Sequence, residues 1–440
     1  MGGAAAFATS SYPSDEGLLA ELRGVWPPTD RDDGAAPTSG RGYAKTDLGD
    51  TVPSAAIRLG SRFAVALIGA GDGSFHVVPL ARNETLSTSW QLARAGDGLS
   101  AFVAGVPMAS ERAINTDQTN ASVIVGERAI VKWFRRAGPG PSRAATLIAH
   151  LDSVGFSAIP PPLGSLVWRS PRDIDLVIAQ GDGYLAGARD GWEWAVARLE
   201  RHVEHGGGEC PATCEPWIGA PLGRLVVQLH AALATPSAVI ATPRMQAPPE
   251  AVASWHERAR STLTEAIDLT DADEPGAGAT LRALEPGLRS SIDRLRSARS
   301  AATQPVHGDL HVGQVLEWAG GLAVIDFDGN PALDPAANAL RQPVERDLAQ
   351  MLSSLDHVGR IVANRVEPAA EGADERTDAI ERWIARARRE FLGAAGGTPD
   401  PALLGAFEVE QECRELVYAA RFLPRWRYAP MATLRDRFVS

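Results

Sequence analysis

The order of hydrophobic and polar residues divides the chain into two kinds of pattern. Up to about residue 184, short apolar runs rich in β-branched and aromatic residues alternate with turns rich in Gly, Pro and Asp, which is typical of strands and hairpins. From Asp190 onward, apolar residues recur at three- and four-residue spacing, which is typical of amphipathic helices. The sequence therefore predicts an α+β protein with a β-rich first part and a mostly helical second part.

Two hairpins are predicted within the β-rich part. One occupies residues 55–81 and turns at AGDG, and the other occupies residues 117–136 and turns at Gly126 and Glu127, because Gly-containing turns between apolar arms favour tight reversals. A helix is expected at residues 16–25, and further strands are expected within residues 160–184.

The stretch QPVHGDLHVGQVLEWAGGLAVIDFDGNP, residues 304–331, concentrates groups suited to phosphoryl transfer. Asp309 lies on a predicted loop, Gln314 follows five residues later, and Asp326 follows a short predicted strand. A carboxylate can take the proton of an attacking hydroxyl, and amide and carboxylate oxygens are ligands that Mg²⁺ prefers. We therefore predict Asp309 as the catalytic base and Gln314 and Asp326 as Mg²⁺ ligands.

HGDLHVGQVL followed by IDFDGNP resembles the actinobacterial maltokinases and glucosamine kinases, within the aminoglycoside-phosphotransferase-like kinases. The interval from Asp309 to Gln314 matches the HRDxxxxN motif of protein kinases, with Gln in place of Asn. Maltokinases usually carry DFEGEP at the second motif, whereas Asp328 and Asn330 stand at those two glutamates here. This difference favours the glucosamine kinase branch.

The resemblance implies a bilobal, eukaryotic-protein-kinase-like fold that uses ATP and Mg²⁺. Residues 1–110 would form a small β-rich N-terminal cap, residues 111–184 the small lobe, and residues 185–440 a mostly helical large lobe with the catalytic loop and the acceptor site. Arg346 and Asp347, at the start of a predicted helix, are interpreted as capping that helix or tying it to the catalytic loop.

The nucleotide site is predicted from the second hairpin and the strand that follows it. Lys132 stands in an apolar arm, where contact with the ATP phosphates explains it and an edge lysine facing solvent is the alternative. Ser122 ends a polar turn, residues 118–122, whose N–H and hydroxyl groups can reach phosphate oxygens. The kinase resemblance implies that adenine binds main-chain groups near Ala179 and Gly181. Where relatives carry a glutamate to pair with the lysine, this chain has Ala144.

The acceptor site is predicted from a helix at about residues 403–422, which carries polar groups on what would otherwise be a core-facing stripe. In the resemblance the corresponding helix lines the sugar site, and an acid there could hold an ammonium group. The alternative is a solvated acidic face sealed by a tryptophan. The predicted acceptor residues are His311, Glu410, Gln411, Arg414, Glu415, Tyr418 and Trp426.

Composition narrows the class of partner. A net charge of −11 and a pI near 5.4 argue against nucleic acid and anionic membranes, so a small-molecule sugar or amino sugar is expected. The sequence has no apolar run of membrane-spanning length and no signal-like start, and its three cysteines form no disulfide framework. We expect a cytoplasmic monomer or small homo-oligomer.

The leading hypothesis is an ATP-dependent sugar kinase that phosphorylates D-glucosamine at its 6-hydroxyl. A maltokinase that makes maltose 1-phosphate and an aminoglycoside-type phosphotransferase are the alternative enzymes. A pseudokinase that binds nucleotide or sugar without turnover is the alternative from another class, and the absent helix glutamate is the observation in its favour.

Overall fold

The computed structural model describes residues 10–28, 51–82, 89–106, 108–114, 120–138, 142–171, 175–206, 211, 214–298, 301–330, 333, 341–366 and 372–438. Two compact units divide the chain. The first unit holds residues 1–152 and 160–186, and the second unit holds residues 153–159 and 187–440. Gln118, Thr119 and Cys210, which belong to segments discussed above, lie outside the described residues.

Strands dominate the described part of the first unit. The strands are β1 (Ser10–Tyr12), β2 (Ala55–Arg58), β3 (Phe63–Gly69), β4 (Phe75–Ala81), β5 (Gln91–Leu92), β6 (Glu111–Ala113), β7 (Ala121–Val125), β8 (Ala129–Trp133), β9 (Arg136–Ala137), β10 (Pro162–Arg169) and β11 (Asp175–Gly183). The helices are α1 (Glu16–Val25), α2 (Leu99–Val103) and α3 (Arg143–Ser153).

These strands form two sheets that share a core. One sheet has the order β1-β10-β11-β8-β7-β6, and the other has the order β2-β3-β4-β5 with β9 beside β4. The early strand β1 therefore joins the later sheet, and β9 leaves the later hairpin to join the earlier sheet. Buried side chains from both sheets, such as Ile57, Val65, Val131 and Trp168, belong to one hydrophobic cluster.

Both predicted hairpins and the first helix are confirmed. Strands β3 and β4 pair antiparallel, with Phe63 opposite Ala81 at one end and Gly69 opposite Phe75 at the other. Strands β7 and β8 also pair antiparallel. Val125 and Ala129 are the last pair of this hairpin, so Gly126, Glu127 and Arg128 form its turn. Gly126 and Glu127 have φ of 56° and 52°, the left-handed conformation that tight hairpin turns favour. Helix α1 occupies the predicted residues, with Asp15 accepting a hydrogen bond from the Leu18 N–H.

The second unit is mostly helical, as predicted. Its helices are α4 (Gly191–Glu204), α5 (Gly219–Leu233), α6 (Pro249–Asp273), α7 (Pro275–Asp293), α8 (Glu345–Ala363), α9 (Ala373–Ala394), α10 (Pro401–Phe422) and α11 (Tyr428–Phe438). Its short strands are β12 (Met245–Gln246), β13 (Ala302–Pro305), β14 (Val315–Trp318), β15 (Gly321–Val324) and β16 (Arg341–Gln342). Within the described ranges, no helix combines the length and apolar character that crossing a membrane requires.

Helix α8 lies at the centre of this unit. It is buried along almost its whole length, from Glu345 to Gly359, and polar side chains on it are therefore enclosed as well. Burial without partners would be costly for those groups, so each is expected to have a hydrogen-bonding role. Several of those partners belong to the loop that follows β13.

The start of α4 lies in direct contact with the same loop. A Cβ on Gly191 would lie 1.6 Å from the carbonyl oxygen of Val312, a separation that two atoms cannot adopt. Only the absence of a side chain at Gly191 allows the helix to approach the loop this closely.

Replacing Gly191 by alanine is expected to destabilise the protein by about 1–3 kcal/mol, because the loop or the helix must move to make room. Gly393→Ala is the matched control, since Gly393 lies within α9 and nothing lies within 4 Å of its Cβ position. That control should be neutral or stabilising by about 0.5–1 kcal/mol. Urea unfolding followed by circular dichroism measures both changes, and equal midpoints would contradict the close approach.

Candidate active site

The loop that carries Asp309 is anchored by a buried carboxylate on α8. Asp347, which is fully buried, accepts hydrogen bonds from the backbone N–H groups of His307 and Gly308, each at 2.8 Å. Its Oδ2 also lies 2.9 Å from His230 Nε2. Burial raises the pKa of this carboxyl, but the hydrogen bonds and the facing imidazoles outweigh burial, so the pKa of Asp347 lies below its ordinary value. The interpretation that Asp347 ties its helix to the catalytic loop is confirmed.

Two further side chains on α8 extend this anchor along the loop. Gln350 accepts from the Leu310 N–H at 3.0 Å and donates to the Gly308 carbonyl at 3.1 Å. Ser354 Oγ accepts from the Val312 N–H at 3.0 Å. Positions 347, 350 and 354 share one helix face, so a single face of α8 holds the loop backbone on either side of Asp309.

Asp309 keeps one carboxylate oxygen available on this rigid loop. Its Oδ1 accepts a hydrogen bond from Asn330 Nδ2 at 3.1 Å. Its Oδ2 makes no hydrogen bond to any residue that the structure describes, and the side chain is partly exposed. A carboxylate held by one oxygen and open at the other suits the predicted role of proton acceptor.

A two-stranded hairpin brings the two predicted metal ligands next to each other. Strands β14 and β15 pair antiparallel, and Val315 lies opposite Val324 at the open end of the hairpin. The Ile325 N–H donates to the Gln314 carbonyl at 3.0 Å. Asp326 follows immediately, exposed and with a φ of 65°, a backbone conformation that is rare for aspartate and concentrated at functional sites.

The donor set fits Mg²⁺. An amide and a carboxylate offer hard oxygen ligands, and a magnesium site at a nucleotide takes its remaining oxygens from phosphates and water. Among the described residues, no group of three or more His, Cys, Asp or Glu side chains is placed to hold a metal ion.

The metal turn is also packed against the catalytic loop. The ring of Phe327 lies 4.8 Å from that of His307 between centroids. His307 Nε2 donates to the Ile325 carbonyl at 2.9 Å, and its Nδ1 accepts from the Asp309 N–H at 3.3 Å. Full burial lowers the pKa of His307, which agrees with a neutral ring protonated at Nε2. This ring joins the two motifs that the sequence predicted separately.

In the first unit, the residues predicted for the ATP phosphates lie side by side. Ser122 on β7 is the direct cross-strand partner of Lys132 on β8, and Lys132 is in turn paired with Gln180 on β11. Directly opposite residues point to the same face of a sheet. Ala144, where relatives carry a glutamate, is buried on α3 and offers no carboxylate.

The adenine prediction needs a correction. Ala179 and Gly181 lie within β11, paired with β8 on one side and β10 on the other. Their main-chain groups therefore belong to an interior strand rather than to an open hinge. The chain leaves the sheet after Gly183, and the Tyr184 N–H still donates to the Arg128 carbonyl, so the first backbone beyond the sheet begins at Leu185.

An aromatic row connects the catalytic loop with α10. The row consists of His311, Trp192 and Trp426: the His311 and Trp192 rings stack with centroids 5.9 Å apart, and the Trp192 and Trp426 rings meet edge to face at 6.2 Å. Trp426 Nε1 donates to Glu415 Oε2 at 2.9 Å, and Gln411 Nε2 donates to Glu415 Oε1 at 3.0 Å. Four predicted acceptor residues are thus brought together, through Trp192, which the sequence did not indicate.

Glu410 lies in the core instead. Its side chain is fully buried, with one oxygen 2.8 Å from Arg258 and the other 3.2 Å from Arg346. Burial raises the pKa of Glu410, but Arg346, Arg258 and Arg414 outweigh burial and lower the pKa to about 2. The prediction that Glu410 contacts the acceptor is therefore not supported, because both carboxylate oxygens face arginines.

The other two predicted acceptor residues of α10, Tyr418 and Arg414, differ in how far they are buried. Tyr418 is 48 % exposed and its ring contact is with Phe422, one turn further along, so nothing joins it to the aromatic row. Arg414 is half-buried, and its Nη2 is enclosed without a hydrogen-bond partner among the described residues. An enclosed guanidinium nitrogen of this kind is a group that a ligand or a water can satisfy.

Taken together, these groups define a class of enzyme. An anchored loop carries the partly exposed carboxylate of Asp309, a hairpin brings the backbone of Gln314 to Ile325, next to Asp326, and an aromatic row leads from the loop to Glu415. That constellation is the one a kinase with an alcohol group as acceptor requires.

Comparison with known proteins gives the family. No family profile matches the chain. It is 37 % identical over 419 residues to the glucosamine kinase of Streptacidiphilus jiangxiensis, which covers 87 % of this chain and 90 % of that protein. It is 35 % identical over 370 residues to the glucosamine kinase of Mycolicibacterium smegmatis, which covers 83 % and 88 %. The chain belongs to the glucosamine kinase family.

A solved structure agrees with this assignment. A glucosamine kinase in complex with glucosamine, ADP and inorganic phosphate shares 34 % identity and a TM-score of 0.72, covering 88 % of this chain and 94 % of that one. The predicted kinase-like α+β fold is confirmed, as is the branch that the DFDGNP motif favoured.

Asn330→Ala is expected to lower kcat about tenfold with little change in the KM for ATP, because the free Asp309 carboxylate can then rotate away from the acceptor hydroxyl. Asn330→Asp should move the acid limb of the pH–rate profile to higher pH, since two carboxylates in contact disfavour ionisation. Steady-state kinetics between pH 5 and 9 measure both. An unchanged kcat together with an unchanged profile would show that the contact with Asp309 plays no part in the reaction.

Proposed function

We propose that this protein is an ATP-dependent glucosamine kinase that transfers the γ-phosphoryl group of ATP to the 6-hydroxyl of D-glucosamine. Membership in the glucosamine kinase family supports the reaction. The observation that supports an amino sugar as the acceptor is that Glu415 has no salt-bridge partner among the described residues.

Glu415 differs from the other acids of α10 in having no salt-bridge partner among the described residues; the nearby imidazole of His357 is paired with Glu412 instead. Glu408 is paired with Arg388 and Arg437, Glu410 with two arginines, and Glu412 with His357. Glu415 accepts from two neutral N–H groups, and no Lys, Arg or His among the described residues lies within 4.0 Å of its oxygens.

A carboxylate that accepts only from neutral N–H groups can still pair with a positively charged ligand. The Gln411 and Trp426 N–H groups orient both oxygens, while the counter-charge is left to the acceptor. An ammonium group supplies that charge and makes a charge-assisted hydrogen bond of about 1.5–3 kcal/mol. Neutral sugars such as glucose or maltose offer no such charge.

The reaction steps follow from the loop geometry. Asp309, steadied by Asn330, accepts the proton of the acceptor hydroxyl as it attacks phosphorus. Gln314 and Asp326 are the residues that would hold Mg²⁺, which supplies charge neutralisation of the phosphates when bound. In the first unit, Lys132 and Ser122 contact ATP phosphate oxygens. The backbone from Leu185 onward replaces Ala179 and Gly181 as the place for adenine.

The remaining expectations about this protein stay predictions. These are the cytoplasmic location, the oligomeric state, and the limits of cap, small lobe and large lobe at residues 110 and 184.

With ATP·Mg²⁺, we expect ADP release with glucosamine and little ADP release with glucose, N-acetylglucosamine, maltose or kanamycin, because only glucosamine combines a free 2-amino group with a free 6-hydroxyl on one hexose ring. Asp309→Asn should lower kcat for glucosamine by about 10²–10⁴-fold, the usual contribution of a general base. Isothermal titration with ADP is the control, since nucleotide binding should survive this change.

Turnover with maltose alone would contradict the amino-sugar assignment. Silence across the panel, with nucleotide still bound, would favour the non-catalytic alternative.

Glu415→Gln is expected to raise the KM for glucosamine about 10–100-fold and to leave the KM for ATP unchanged, because it removes the charge that reads the amine. Tyr418→Phe is the matched control on the same helix and should leave both constants unchanged. If Tyr418→Phe raised the KM for glucosamine as much as Glu415→Gln, the acceptor would have to be placed on the exposed face of α10 instead.

A further inference from the structure

A buried ion pair lies directly behind the acceptor residues. His357 on α8 is 3 % exposed, and its Nε2 lies 2.9 Å from Oε2 of the fully buried Glu412 on α10. The other oxygen of Glu412 is enclosed without a hydrogen-bond partner among the described residues. Burial lowers the pKa of His357, but the facing Glu412 carboxylate outweighs burial, and the pKa of the imidazole is raised above its ordinary value.

The charges around His357 come from four helices. Glu412 and Glu415 face it from α10, and Asp356 precedes it on α8. The Asp356 charge is compensated by Arg388 from α9 and Arg437 from α11, both of which contact its Oδ2. The imidazolium is therefore compensated mainly by Glu412.

His357 also touches the aromatic row. Its ring meets the Trp426 ring edge to face, with centroids 5.3 Å apart and an interplanar angle of 82°. Trp426 meets Trp192 in the same manner on the side of the catalytic loop. A third ring, that of Tyr428, lies 5.9 Å from the indole between centroids. The indole is thus held by three rings, while its N–H donates to Glu415. Moving His357 would free one side of the indole that orients Glu415.

Stability alone is a weak explanation for such a pair. Taking two charges out of water costs several kcal/mol per ion, and their mutual attraction offsets this cost only in part. Replacing a buried ion pair by apolar residues is therefore often neutral or stabilising for the fold. An ion pair fixes direction, however, because its hydrogen bond tolerates little rotation. Direction is what the Trp426 indole needs if its N–H is to stay on Glu415.

We propose that His357 is a positioning residue for amino-sugar recognition: paired with Glu412, it holds the Trp426 indole in the orientation that points the Glu415 carboxylate at the acceptor amine. This inference rests on the proposed function of the site. His357 itself touches neither the acceptor nor the reacting atoms.

The kinetic test uses His357→Gln, Glu412→Gln and the double variant. Each single change should raise the KM for glucosamine about tenfold while the KM for ATP stays within twofold. The double variant should be no worse than the worse single variant, because both changes break the same pair and their effects are not additive.

A matched control is available in the same unit. His256 pairs with Asp293 at 2.7 Å and is also buried, but its partner lies on α7 and it makes no contact with the aromatic row. His256→Gln should lower the melting temperature without changing the KM for glucosamine.

A second readout needs no turnover. In protein labelled with 5-fluorotryptophan, the ¹⁹F signal of Trp426 is identified by its loss in Trp426→Phe. In otherwise unchanged protein this signal should move over the pH range in which the His357 ring, followed by its own NMR signals, loses its proton, and the signal of Trp194 should not. In His357→Gln the titration should disappear.

A KM for glucosamine that is unchanged in every variant overturns the proposal, even if the melting temperature falls, because that result describes a merely structural pair. A Trp426 signal that stays still while the His357 ring itself titrates overturns it as well, and that measurement stands even if the His357 variants do not fold. If the unchanged protein fails to phosphorylate glucosamine but its Trp426 signal titrates, the proposed function fails while the positioning of Trp426 by His357 is retained.

Discussion

The hydrogen bonds from the backbone of His307 and Gly308 to Asp347 are the constraint on which the site depends. A loop that carries a catalytic base cannot satisfy its own N–H groups by secondary structure, and enclosing them without partners would cost about 1–3 kcal/mol each. Asp347 satisfies two of them with one ionised group, and Gln350 and Ser354 continue along the loop. The position of Asp309 is therefore fixed by side chains of the buried helix α8 that bond the loop backbone.

The charge partners of the acids on α10 distinguish those that stabilise the core from the one that we propose to bind the acceptor. Three of its acids have cations from other helices, and these pairs connect α10 to α6, α8, α9 and α11. Glu415 is surrounded by neutral donors instead. An acid paired with a cation is already compensated and contributes to the core, whereas an acid that accepts only from neutral N–H groups keeps its capacity to bind a positively charged ligand.

Local motifs in the sequence were sufficient for the chemistry and for the hairpins. The interval between Asp309 and Gln314 and the turn at Gly126 and Glu127 are determined by a few neighbouring residues, so spacing alone indicates them. The partners of Glu410 could not be predicted in this way. Arg258 is 152 residues away and Arg346 is 64 residues away, and only the packing of α6 and α8 against α10 brings them together.

The same reason explains the error at Ala179 and Gly181. Their apolar, small side chains fit either a hinge or an interior strand, and the pairing of β11 with both β8 and β10 decides between them. Trp192 was missed because an aromatic residue at the start of a helix is ordinarily packed in a core. Its contact with His311 depends on the close approach of α4 to the catalytic loop.

The arrangement of α10 has a consequence for how acceptor preference can diverge. The acids that connect this helix to its neighbours and the acid that we propose to bind the acceptor amine are different residues, although they lie within eight positions, from Glu408 to Glu415. Substitutions at positions 411 and 415 can therefore exchange one sugar for another without dismantling the core. A lineage with this helix can explore new acceptors in single steps while its scaffold stays intact.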